Sequence, residues 1–133
     1  NILVASDGSK CGAKAVDLAI DMAAKYGAKI SALYVMDFGS DLSYDELDDV
    51  GGAVLDEITA KGKENGVVVV EHIITANPVF DMETIIRKIN PEIAVFGARG
   101  LGADKEDDES PSRIGSVALN ALKVSKVPVI LAK

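Results

Sequence analysis

The stretch that decides the fold is Asn1–Ser9, "NILVASDGS". Its apolar residues, Ile2, Leu3, Val4 and Ala5, follow one another without alternation. A strand wet on one face alternates apolar and polar residues, whereas a continuous apolar run marks a strand covered on both faces. We therefore read residues 1–6 as a buried parallel strand, broken by Asp7-Gly8-Ser9. Ser9 is a good N-cap, since its hydroxyl can accept from an unpaired amide of the first turn, so a helix is expected to follow at once, over Lys10–Tyr26. Val16, Ala19, Ile20 and Ala23 recur there at helical spacing, and Gly27 ends the helix.

The same alternation of buried strand and helix repeats to the end of the chain. "KISALYVMD" (29–37) is a second strand, and a helix is expected over 44–65 with Leu47, Val54, Leu55 and Ile58 on its apolar face. Gly51-Gly52 lies inside that helix, where a bend is expected. "VVVVEHII" (67–74) is β-branched and reads as the third strand. Asn77-Pro78 suggests a helix start, giving a helix over 77–90. "EIAVFG" (92–97) is the fourth strand. Helix over 116–125 follows, with Val117, Ala118, Ala121 and Leu122 turned inward, then "VPVILA" (127–132) as the fifth strand. Helix-separated apolar strands imply a parallel sheet with helices on both faces, in one domain over residues 1–133. Such sheets bind ligands outside the carboxyl ends of the strands, where the winding reverses. Two ends carry special residues, Asp7-Gly8-Ser9 after strand one and Gly97-Ala98-Arg99-Gly100 after strand four.

Those residues carry a resemblance. "ILVASDGS", "LYVMD" and "VFGARG…GS…VPVILA" make nearly the whole chain similar to the universal stress protein family. The resemblance implies a flavodoxin-like α/β fold, a doubly wound five-stranded sheet ordered 3-2-1-4-5, and ATP as the ligand of its nucleotide-binding branch. That branch has the signature Gly, two residues, Gly, nine residues, then Gly-Ser or Gly-Thr. Here Gly97 and Gly100 fit, but residues 101–114 separate Gly100 from Gly115-Ser116, five more than the signature. Carried over residue by residue, the resemblance sets Ala5, Ser6 and Asp7 beside adenine and ribose. It sets the backbone of Val35 at the adenine edge, Gly97, Arg99 and Gly100 near ribose and phosphates, and Gly115, Ser116 and Val117 on the phosphates. The chemistry suits each: glycines admit close backbone approach, helix N-terminal amides attract anions, and a carboxylate accepts from a ribose diol. Plain structural roles stay open beside these: Asp7 as a turn residue, Gly115 as helix-entry geometry, Arg99 as a solvated charge. The family also implies a homodimer paired through the last strand, whose apolar edge otherwise invites aggregation.

The extra residues raise a difficulty. Asp104, Glu106, Asp107, Asp108 and Glu109 face only Lys105 and Arg113 within this loop. Repulsion of a triphosphate by that local excess, after screening, costs roughly 2 kcal/mol. We expect residues 103–110 to loop out into solvent, leaving ATP binding weakened and assisted by Mg²⁺, which carboxylates and phosphates share well. A metal or partner site on the acids, or outright loss of nucleotide binding, remains open.

Composition bounds the rest. The chain has 133 residues, 48% hydrophobic, and 14 basic against 21 acidic side chains, a net charge of −7. No basic stretch could track a nucleic acid or an anionic membrane. No apolar run approaches the ~20 residues of a membrane span, and the start lacks the flanks of a signal peptide. With no initiator Met, a few residues are expected ahead of Asn1. Cys11 is alone, a small packing residue that fits a reducing cytoplasm. His72, the sole histidine, reads as an exposed strand residue. No P-loop, dinucleotide fingerprint or zinc pattern is present in the sequence. A phosphorelay receiver needs an Asp after strand three, where this chain has "HIITAN". The reading is a cytoplasmic stress-response regulator that binds a nucleotide. Alternatives are a scaffold of the same fold that binds none, and a slow ATPase, for which no general base or phosphate-clamping Lys is visible.

Overall fold

The computed structural model describes residues 1–107, 110 and 112–133. Its strands are β1 (Ile2–Ala5), β2 (Ile30–Asp37), β3 (Val69–Ala76), β4 (Ile93–Gly97) and β5 (Val129–Ala132). They form one parallel sheet in the order β3-β2-β1-β4-β5. The helices are α1 (Lys10–Tyr26), α2 (Tyr44–Glu64), α3 (Met82–Ile89), α4 (Leu101–Lys105) and α5 (Ser116–Val124). β1 is flanked by β2 and β4 with Ala5 level with both Leu33 and Phe96, so the winding reverses beside β1 as the resemblance implied.

The continuous apolar run of β1 is explained by its two faces. Val4 packs with α1 and α2, while Leu3 packs with α3 and α5. Right-handed crossovers put the helices on these sides: the chain moves toward β3 in its first half and toward β5 in its second, so the helices change face at the reversal. α1 starts where Ser9 predicts, its side chain accepting from Gly12 N, and ends on the left-handed Gly27.

Three expectations are corrected and one element is added. β3 spans 69–76 rather than 67–74, because Val67 N bonds Gly62 O and closes α2, while Thr75 and Ala76 go on pairing with Met36 and Asp37. α3 begins at Met82 rather than at residue 77, since the Asn77 side chain captures the amides of Val79 and Phe80 in a turn. In α5 only Ala118 and Ala121 are buried, and Leu122 is 44% exposed. The one-turn helix α4 was not foreseen at all.

Gly51 has a different role from the bend expected of it. A Cβ there would lie 2.5 Å from Tyr34 Cδ1 and 2.9 Å from Ile73 Cδ1, whereas one at Gly52 would meet nothing within 4 Å. Gly51 thus lets α2 settle onto the ring of Tyr34. The two neighbours should respond oppositely to alanine. Gly51→Ala should lose about 1–2 kcal/mol of stability through overpacking, and Gly52→Ala should gain up to about 1 kcal/mol through helix propensity. Urea denaturation of both variants checks this, and equal effects would refute the contact.

Candidate functional site

Above the switch point a cavity of about 610 Å³ opens between the ends of β1, β2 and β4 and the start of α5. All the residues singled out from the sequence line it: Ala5, Ser6 and Asp7 from the end of β1, Val35 from β2, Gly97, Arg99 and Gly100 after β4, and Gly115, Ser116 and Val117 at the start of α5. Leu33, Pro78 and Met82 add an apolar side to the lining.

Val35 is there because β2 outruns β1. The odd residues of β2 turn their backbone groups toward β1: Lys29 O, just before β2, accepts from Ile2 N, and Leu33 O accepts from Ser6 N. Val35 comes two residues beyond Leu33, the partner of Ala5, the last residue of β1. Its N–H and C=O therefore point into the gap that β1 has vacated, as a donor–acceptor pair.

Asp7 ties the two special strand ends together. One oxygen accepts from Ser9 N at 2.9 Å, the turn role open from the sequence, and the other accepts from Leu101 N at 3.1 Å across the reversal. Gly100 is glycine for this reason, since a Cβ would come within 2.8 Å of Asp7 Oδ2. Gly97 is equally constrained by protein: a Cβ would meet Gly12 N at 2.6 Å and the Cys11 carbonyl carbon at 2.7 Å. Tyr34, missed in the sequence, also lines the cavity. Burial, and secondarily the Asp7 carboxylate, push its hydroxyl above the ordinary tyrosine pKa, so it stays a neutral phenol. The signal for Tyr34 was its place in "LYVMD", at the end of the second strand.

Arg99 differs from a solvated or phosphate-facing charge. It is buried, and its guanidinium donates to Ser110 O at 2.7 Å and Lys133 O at 3.0 Å. Gly115 behaves otherwise. It is the N-cap of α5, no side chain caps that helix, and a Cβ there would meet nothing closer than Ala98 O at 3.5 Å. The amides of the first turn of α5 thus border an open approach on the cavity side. Cys11 is buried, and His72 lies in a separate hollow against β3, away from the switch point.

The acidic segment is corrected too. Residues 103–107 do not loop out: α4 covers 101–105, its Leu101 amide held by Asp7, and Asp104 reaches back to accept from Lys10 N, at the start of α1, at 2.9 Å. Glu106 pairs with Arg113 at 3.4 Å, and both line the cavity. Asp108 and Glu109 lie outside the described residues.

A model described as the universal stress protein family matches residues 1–133, and the chain belongs to that family. Solved structures agree. A universal stress family protein from Burkholderia pseudomallei is 25% identical, with TM-score 0.75 over 98% of this chain and 92% of its own. A universal stress protein from Archaeoglobus fulgidus, in complex with dAMP, is 21% identical with TM-score 0.77 over 99% of this chain and 96% of its own. One from Arabidopsis thaliana with AMP bound is 22% identical with TM-score 0.70, over 99% and 90%. At these identities the last two speak for the fold. No curated protein sequence matches.

If Asp104 is an anchor rather than a free charge, its loss should be felt by folding. Asp104→Ala should cost about 1 kcal/mol, the scale of a helix N-terminal cap, with Asp104→Asn recovering part because its amide oxygen still accepts. Thermal and urea denaturation of both variants decide, and an unchanged Asp104→Ala would return the residue to solvent.

Proposed function

We propose that this universal stress protein binds an adenine nucleotide, ATP, in the cavity beside β1 and β4, and acts as a regulatory protein of the stress response rather than as an efficient enzyme. The observation that carries the reading is Gly115. The protein's own packing requires no glycine there, yet the residue stands at the mouth of unpaired helix N-terminal amides that face a cavity. Amides and dipole at a helix start favour an anion, and a missing Cβ lets a phosphate come close.

The remaining groups suit the rest of the ligand. The apolar lining from Leu33, Pro78 and Met82 accepts a flat base, with the backbone of Val35 as donor and acceptor at its edge. Each Asp7 oxygen already takes one amide and keeps lone pairs for a ribose hydroxyl. Gly97, Arg99 and Gly100 border ribose and phosphates with backbone, and Ser116 offers its hydroxyl and amide. Mg²⁺ would arrive with the triphosphate. The AMP and dAMP named for the two fold relatives support an adenine ligand. Among the described residues no helix is long and apolar enough to cross a membrane. A cytoplasmic setting rests on the lone, buried Cys11.

Calorimetry with ATP, with and without Mg²⁺, tests the reading. Gly115→Ala fits the backbone at φ −70° and ψ 162°, so folding should be retained. ATP affinity should fall by at least about 1.4 kcal/mol, tenfold, as the phosphates are pushed off the amides. No binding by the wild type at millimolar ATP, or equal affinities in the two proteins, refutes the site.

A second reading, function through self-association, is favoured by a separate observation. Among the described residues β5 pairs with β4 alone and stands at the edge of the sheet, and α5 carries two exposed leucines, Leu119 and Leu122, which are 42% and 44% exposed. A second copy pairing through β5 would cover the open edge. Light scattering should find a dimer at micromolar concentration, and Leu122→Lys should move it toward monomer without loss of stability. A wild type that is monomeric throughout rules the dimer out.

A further inference from the structure

Tyr34 lines the cavity from β2 and is only 6% exposed, yet among the described residues its hydroxyl has no hydrogen-bond partner. We propose that this hydroxyl reads the sugar of the bound nucleotide: it pairs with one hydroxyl of a ribose diol while Asp7 takes the other, so the site selects ribonucleotides over deoxyribonucleotides. The inference rests on the nucleotide reading above and adds to it a specificity for the sugar.

The hydroxyl opens into the cavity. Among the described residues every fully buried side-chain nitrogen or oxygen has a partner. The Tyr34 oxygen has none, so it is not sealed in: the ring is buried and the tip meets the space that Tyr34 lines. The ring itself is held. α2 lies against it at Gly51, where a Cβ would stand 2.5 Å from Cδ1 and 2.8 Å from Cε1. A phenol on a held ring points one way, and little freedom is lost when it takes a ligand. The polar side chains that line the cavity from the end of β2 and the loop after it are already engaged. Asp37 accepts from Gly39 N at 2.8 Å, and Ser40 from Leu42 N at 3.2 Å. Around them Leu42, Leu47 and Val50 are apolar. Tyr34 is the polar side chain of this wall that a ligand can meet without breaking a bond inside the protein.

Asp7 says which part of the ligand that is. Asp7 lines the same cavity, and burial together with the Asp7 charge keeps the Tyr34 hydroxyl protonated. The two groups are complementary, since a carboxylate only accepts whereas a phenol both donates and accepts. A ribose diol offers two adjacent hydroxyls, each of them a donor and an acceptor. One donates to Asp7 while its neighbour pairs with Tyr34. A deoxyribose lacks one of the two, and so leaves either the carboxylate or the phenol against carbon in a place from which the sugar has expelled water. A polar group desolvated without a partner is costly. The penalty falls on the deoxy sugar alone, because the diol satisfies both groups.

The test is a calorimetric titration of the intact protein with ATP, 2′-deoxy-ATP and 3′-deoxy-ATP, for the wild type and Tyr34→Phe. Phenylalanine keeps the ring on Gly51 and removes only the oxygen. With no internal bond lost, Tyr34→Phe should unfold without ligand at the wild-type temperature. The wild type should bind each deoxy form about tenfold more weakly than ATP, the scale of one polar group left unpaired. Tyr34→Phe should bind ATP and the deoxy form that lacks the Tyr34-facing hydroxyl alike, within about twofold, while the other deoxy form keeps its tenfold disadvantage. Affinity ratios of ATP to both deoxy forms that Tyr34→Phe leaves unaltered overturn the proposal. So does a Tyr34→Phe variant that unfolds several degrees lower without ligand, which would make the hydroxyl a bond of the fold. If the wild type binds none of the three at millimolar concentration, the nucleotide reading fails and this one with it. A wild type that binds all three alike removes this inference and leaves the nucleotide site standing.

Discussion

The site depends on how closely the first turn of α1 approaches the end of β4. A single methyl group at Gly97 would strike the backbone of Cys11 and Gly12, and one at Gly12 would come within 2.8 Å of Ser6 Oγ and 3.1 Å of Ser9 Oγ. Two glycines facing each other let a helix start and a strand end share the space above β1. Backbone cannot retreat as a flexible side chain can, so this contact sets where the chain after β4 must go. The cavity is the space left between that fixed chain and the longer β2.

The helix start then needs partners for its unpaired amides, and the chain supplies them reciprocally. Ser9 caps α1 from within, accepting from Gly12 N, while its own hydroxyl donates to Arg99 O across the switch point. Asp7, at the end of β1, accepts from the first amide of α4, and Asp104, in α4, accepts from the first amide of α1. Each carboxylate lies where a helix end carries partial positive charge, so the two acids stabilise two helix starts at once. An acid-rich insertion beside the cavity becomes intelligible in this light. Asp104 is an anchor that folds the extra residues onto the domain, and Glu106 is neutralised in part by Arg113.

The cavity proposed for the nucleotide is built mostly from backbone. The groups of Val35, the amides opening α5 and the bare face of Gly115 contribute more to it than any charged side chain except Asp7. The proposed ligand, held in this way, would be selected by shape and by hydrogen-bond direction. Construction from backbone also explains how proteins about one-fifth identical retain the fold: backbone groups keep their place when side chains change.

The sequence alone determined the parallel sheet, the start of α1 and the two special strand ends, because these rest on local and periodic signals, while the sheet order and the set of cavity residues were implied by the family resemblance. A continuous apolar run, a Ser before a helical stretch and glycines at strand ends act over a few residues each. The tertiary structure decided why those residues are what they are. Gly97 is glycine for the first turn of a helix, at Cys11 and Gly12, 86 and 85 positions earlier in the chain, and Gly100 for a carboxylate 93 positions earlier, at Asp7. Arg99 turned to the carbonyls of Ser110 and Lys133, and Asp104 to the start of α1. Leu122 turned outward although its spacing matched the inward face. None of these is written in a local pattern, since each depends on which distant backbone atoms the folded chain leaves without a partner, and on which faces it leaves without a neighbour.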